Sequence, residues 1–114
     1  MTTAFAEITF TDAVKAAQDR NGSRASYARL ERPEAPRRDR LTAKERQFII
    51  ARDGFYQATV NADGWPYVQF RGGRPGFLRV LDAQTIAYAD FSGNKQYLSA
   101  GNLAGNDRIA LILM

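Results

Sequence analysis

A chain of 114 residues has room for one ordinary domain with a thin core, and its 45% hydrophobic and 11% aromatic content argues for folding rather than disorder. It contains no cysteine and no histidine, which excludes disulfides, thiolate nucleophiles, the usual metal ligand sets and any triad that needs an imidazole. The formal charge of +4 is local, because residues 20–40 carry seven arginines against Glu31, Glu34 and Asp39 while the rest of the sequence balances.

The first residues, MTTAFAEITFTD, show no basic stretch followed by a long apolar core, so a signal peptide is not expected. No apolar run approaches the roughly 20 residues that span a bilayer. The cytoplasm is therefore the expected location, with no membrane partner. Residues 11–20 read as a helix: Thr11 is a suitable N-cap, Asp12 favours the positive end of the dipole, and Asn21-Gly22 ends it. Residues 21–40, broken by Pro33 and Pro36, read as an extended connector. Its arginines suit phosphate backbones, but the interleaved acids and prolines dilute them, and nucleic acid is not an expected partner. A second helix is predicted over 43–52, where Thr42 and Glu45 form a capping box and Gly54 stands at the C′ position.

After Gly54 the hydrophobic period changes to two. Strands are predicted over 55–60 and 65–71, joined by the turn Asn61-Ala62-Asp63-Gly64, and over 77–81 and 86–91, joined across 82–85. A helix over 95–103 and a strand over 108–114 follow. Five short strands with tight turns predict a mainly β fold, a small antiparallel barrel with a few helices. The final run stays apolar to Met114, an open edge that requires either further residues or cover from another chain.

Two places could hold an anion. The Ser92-Gly93-Asn94-Lys95-Gln96 stretch lies between a strand and a helix, where backbone N–H groups, Asn94 and the Lys95 charge could cradle a phosphate; its ordinary reading is a loop with a capping Asn and a solvated Lys. Arg71 closes a strand just before two glycines, and its planar guanidinium suits phosphate oxygens; its ordinary reading is a strand-end charge. Neither place forms a Walker loop or a dinucleotide fingerprint. No acid–base pair, catalytic side chain or metal site is predicted, so any chemistry is expected to come from a cofactor.

The blocks FYQATV (55–60), GWPYVQFRGG (64–73), GFLRVLD (76–82), ADFSGNKQY (89–97), GNL (101–103) and DRIALILM (107–114), in this order, resemble the pyridoxamine 5′-phosphate oxidase-like family of FMN-binding split barrels, in its flavin-nucleotide-binding branch. The resemblance implies a six-stranded antiparallel Greek-key split barrel, C-terminally truncated here. It also implies a homodimer with FMN between the subunits, working as a flavin-dependent oxidoreductase on an unspecified small-molecule substrate. Residues 42–114 are the implied FMN-binding domain, and 1–41 an N-terminal helix and connector forming one structural unit with it. The implied cofactor-binding residues are Val68, Gln69, Phe70 and Arg71 beside the isoalloxazine, and Ala89, Asp90, Ser92, Asn94, Lys95 and Gln96 around the phosphate and ribityl chain. Relatives often carry His where Phe70 stands, and they continue past the last strand. Pyridoxamine phosphate oxidase activity itself is not expected, since the C-terminal Arg and His that recognise that substrate are missing. The alternative is a non-catalytic dimeric module that binds flavin or no ligand.

Overall fold

The computed structural model describes residues 2–89 and 96–114. It divides into two compact units, Met1–Arg40 and Leu41–Met114.

The first unit is helical. Helix α1, Ala4–Thr9, starts where the Thr3 hydroxyl accepts the Ala6 N–H at 3.2 Å. Helix α2, Asp12–Arg20, starts where Thr11 accepts the Val14 N–H at 3.3 Å and ends at Asn21, with Gly22 at φ +76°. The predicted extended connector is not extended throughout: helix α3, Arg24–Ala28, and a 3-10 turn, Arg29–Glu31, occupy its first half. The cause is charge pairing that a composition count does not reveal. Glu31 receives Arg24 and, at 3.0 Å, Lys15; Arg37 pairs with Glu7 and, at 3.6 Å, with Asp39. Backbone bonds from Thr3 to Leu30 and from Ala4 to Arg37, both 2.9 Å, tie the segment back to α1. Ala6 is the only buried hydrophobic residue described in this unit, so ion pairs and the edge-to-face Phe5–Phe10–Tyr27 series carry much of its cohesion.

In the second unit helix α4, Ala43–Ile50, has the predicted capping box, with Glu45 accepting the Thr42 N–H at 2.7 Å and the Thr42 hydroxyl. Strands β1, Gly54–Val60, and β2, Pro66–Gly72, form a hairpin pairing Gly54 with Gly72 through to Val60 with Pro66. Its turn is organised by Asn61, whose side-chain oxygen accepts the N–H groups of Asp63 and Trp65, and by Gly64 at φ +85°. Strands β3, Arg79–Asp82, and β4, Thr85–Ala87, pair only with each other. Helix α5, Leu98–Gly105, packs on β1 and β2, and β5, Ala110–Leu113, pairs with β1. Ile49, Phe55 and Leu78 form the buried core, with Leu41, Phe77, Val80, Ile86, Tyr88, Leu111 and Leu113 against it.

This architecture corrects the predicted fold class. Helix reaches 36% and strand 23%, so the protein is mixed α and β rather than mainly β. The described strands form an open three-stranded sheet, order β2-β1-β5, and a separate two-stranded ribbon, with no closed barrel and no Greek-key order. Closure needs a hydrogen-bonded ladder continued around the circumference at consistent tilt and shear. Here β3 and β4 have only four and three residues, with an irregularity between Val80 and Asp82, and they extend no ladder to β2 or β5.

Candidate functional site

Strand alternation sorts the hairpin residues onto two faces. Phe55, Gln57 and Thr59 of β1 face inward together with their cross-strand partners Arg71, Gln69 and Tyr67, and with Leu113 and Leu111 of β5. The inner face is apolar near the core and becomes polar where α5 and Tyr88 approach. Gln57, Thr59 and Ser99 are all buried there. Ser99 donates to the Gln69 side-chain oxygen at 2.8 Å, and Asn102, one helical step further along, donates to the Thr59 hydroxyl at 2.9 Å. These two bonds attach α5 to both strands of the hairpin. Tyr88 donates its hydroxyl to Gln57 Oε1, and its ring lies under Arg71, with the guanidinium carbon 5.5 Å from the ring centroid.

Among the described residues the buried Gln57 Nε2 finds no hydrogen-bond partner. A buried amide donor left unpaired costs about 1–3 kcal/mol. The Arg71 guanidinium belongs to the same inner face, at the next inward position of β2 after Gln69, the cross-strand partner of Gln57. A donor-rich, cationic, partly buried face suits a ligand that carries acceptors and negative charge. The donors of Gln57 and Arg71 therefore fit FMN, whose phosphate is an anion and whose ring carries several acceptors. The carboxyls held below their ordinary range serve elsewhere: Glu7 is lowered first by its hydrogen bond to Arg37, and Glu45 by those to Thr42. No group of three metal-ligating carboxylates, histidines or cysteines occurs among the described residues.

The predicted site residues are distributed as follows. Gln69 and Arg71 lie on the inner face, whereas Val68 and Phe70 alternate to the outer face and are about 60% exposed. Side chains 68–71 therefore cannot all face one ligand. The strand can still present main-chain groups, because β2 is a sheet edge. Ala89 and Gln96 are exposed, one residue after Tyr88 and two before α5. Asp90, Ser92, Asn94 and Lys95 lie outside the described residues. Helix α5 begins at Leu98 behind Tyr97 at φ 56°, so the predicted helix start at Lys95 moves three residues along the chain. Gln57, Tyr88, Ser99 and Asn102 escaped the sequence reading. The available signal was Gln57, a polar residue in phase with Phe55 where alternation predicts a core side chain.

The outer face is of a different kind. Tyr56 stands between Phe70 and Ile112, and Ala58 between Val68 and Ala110. Tyr56 meets Phe70 edge-on at 5.4 Å. All six positions are uncharged, and Tyr56, Val68, Phe70 and Ile112 are exposed. Contiguous apolar surface of this kind marks an interaction site.

Comparison with protein-family models, curated proteins and solved structures gives no match to this chain. Among the described residues no helix is long and apolar enough to cross a membrane.

Proposed function

We propose that this chain binds FMN, as a homodimer, and serves as a flavin-dependent oxidoreductase of the pyridoxamine 5′-phosphate oxidase-like kind. The observation that carries the reading is the Gln57 Nε2 donor, without a partner among the described residues, on the same inner face as the Arg71 guanidinium. The ordered sequence blocks described above add to it. Arg71 and the 89–96 stretch, with Asn94, Lys95 and Gln96, are assigned to the phosphate and ribityl chain, and Gln57 and Gln69 contribute amides. Bound FMN supplies the hydride or electron transfer, which agrees with a sequence that lacks imidazole and thiol groups. The protein's own work is to anchor, orient and shield. A second copy covers the uncharged Tyr56–Phe70–Ile112 face, where a two-fold axis brings no like charges together. A cytoplasmic setting, where FMN and reduced nicotinamide donors are found, belongs to the same proposal.

Purified protein is expected to carry flavin absorbance that bleaches on addition of NADPH. Colour without bleaching identifies a flavin-binding module with no such reductase activity. Colourless protein whose fluorescence ignores added FMN overturns the proposal. Replacing Arg71 and Lys95 together by Ala is expected to weaken FMN binding about 100-fold or more, as loss of two charge-assisted contacts requires.

A further inference from the structure

Arg71 ends the inward row of β2, directly opposite Phe55 on the central strand. A long guanidinium side chain samples many rotamers unless something fixes it, and each fixed rotor costs entropy. Here one side chain meets both members of the pair. Tyr88 lies beneath the Arg71 guanidinium at 5.5 Å and meets the Phe55 ring edge-on, with centroids 5.1 Å apart. Its phenol is held in turn by Gln57 Oε1, from a fully buried side chain two residues along β1. The ring therefore has little freedom: the edge contact with Phe55 restricts its rotation, and the bond to Gln57 fixes the position of its hydroxyl end. An aromatic face so fixed favours a guanidinium lying over it, an attraction that strengthens as water is excluded.

We infer that Tyr88 is a positioning residue, held by Gln57, which presets the Arg71 guanidinium for an anionic group of the ligand. The inference rests on the proposed FMN site. Its consequence is selective. Riboflavin has the ring of FMN but no phosphate, so a preset Arg71 raises the affinity for FMN over riboflavin, and disturbing the preset lowers that preference rather than all flavin binding.

The experiment is a double-mutant cycle on the full chain, with affinities for FMN and riboflavin measured by fluorescence quenching. Arg71→Ala is expected to reduce the FMN-over-riboflavin preference about tenfold or more. Tyr88→Leu is expected to reduce it about fivefold, and to have no further effect once Arg71 is Ala. Tyr88→Phe, which loses the bond to Gln57 but keeps the ring against Phe55, is expected to keep most of the preference. Equal loss for both flavins, or full additivity with Arg71→Ala, overturns the inference while leaving FMN binding in place. If the wild-type chain binds neither flavin, the functional proposal falls, and the Arg71 Nε–H proton still decides the positioning. Its resonance is expected to be shifted upfield by the Tyr88 ring, to stay so in Tyr88→Phe, and to relax in Tyr88→Leu. An unchanged resonance in Tyr88→Leu overturns the inference with or without a ligand.

Discussion

Two glycines at the open end of the β1–β2 hairpin differ in what they accommodate. A Cβ built on Gly54 falls 2.5 Å from Cζ of Phe70, whereas one built on Gly73 falls 2.7 Å from Cγ and 3.0 Å from Cβ of Phe77. Phe70 is exposed, and the far end of its ring can swing away at the cost of its contact with Tyr56. Phe77 is stacked on the buried Phe55 at 5.9 Å, and atoms so near its own backbone cannot yield without moving the chain. Gly73→Ala is therefore expected to cost about 1–3 kcal/mol in urea unfolding, the usual range for overpacking. Gly54→Ala should cost less than about 1 kcal/mol, as surface adjustments do. Equal costs would contradict this assignment. The nearest atoms that a Cβ on Gly73 would meet all belong to the protein's own Phe77.

Among the elements, α4 shows how far local chemistry reaches. The Thr42-x-x-Glu45 spacing alone predicts the cap, because both partners lie within one turn and no distant residue competes. The hydrogen bonds from the Thr42 side chain and backbone hold the Glu45 carboxyl below its ordinary value of 4.5. A carboxyl lowered on folding contributes stability that is fully present above the ordinary value and is lost as the pH falls through the lowered one. Thermal melts between pH 6 and pH 3 (chosen to bracket that window) are expected to show Glu45→Gln losing less stability on acidification than the wild type, since the amide keeps an acceptor without a proton to gain. Parallel acid profiles would remove this role. The alternation of β1 and β2 was equally legible, and with it the division into inner and outer faces. The connector was not. It reads as an extended segment until Glu7, 30 residues from Arg37, and Glu31 are seen to claim Arg37 and Arg24.

For the whole molecule the outer sheet face is the decisive surface. Three strands contribute apolar, uncharged side chains to it in register, and covering such a patch with a second copy removes the exposed area from water on both partners. The proposed homodimer is expected to appear in sedimentation equilibrium at micromolar concentration. Val68→Lys and Ile112→Lys place a charge on a half-exposed position of each outer row, so they should leave the fold intact and shift the mass to that of a monomer. A dimer that survives both changes uses another surface, and a wild-type monomer overturns the dimer.

Short-range physics was readable from the residues alone. The Thr11 and Thr42 caps, the Asn61–Gly64 turn and the period-two strands depend on groups a few positions apart, whose geometry the backbone itself supplies. Tertiary structure alone placed β5 beside β1 and kept the two hairpins apart, as a three-stranded sheet and a ribbon in place of a closed barrel. It alone brought Gln57 to Tyr88, Gln69 to Ser99 and Thr59 to Asn102 across thirty or more residues. A hydrophobic pattern states which face of an element must be buried. It does not state against what, because that choice is a competition among distant surfaces, settled only when the chain packs.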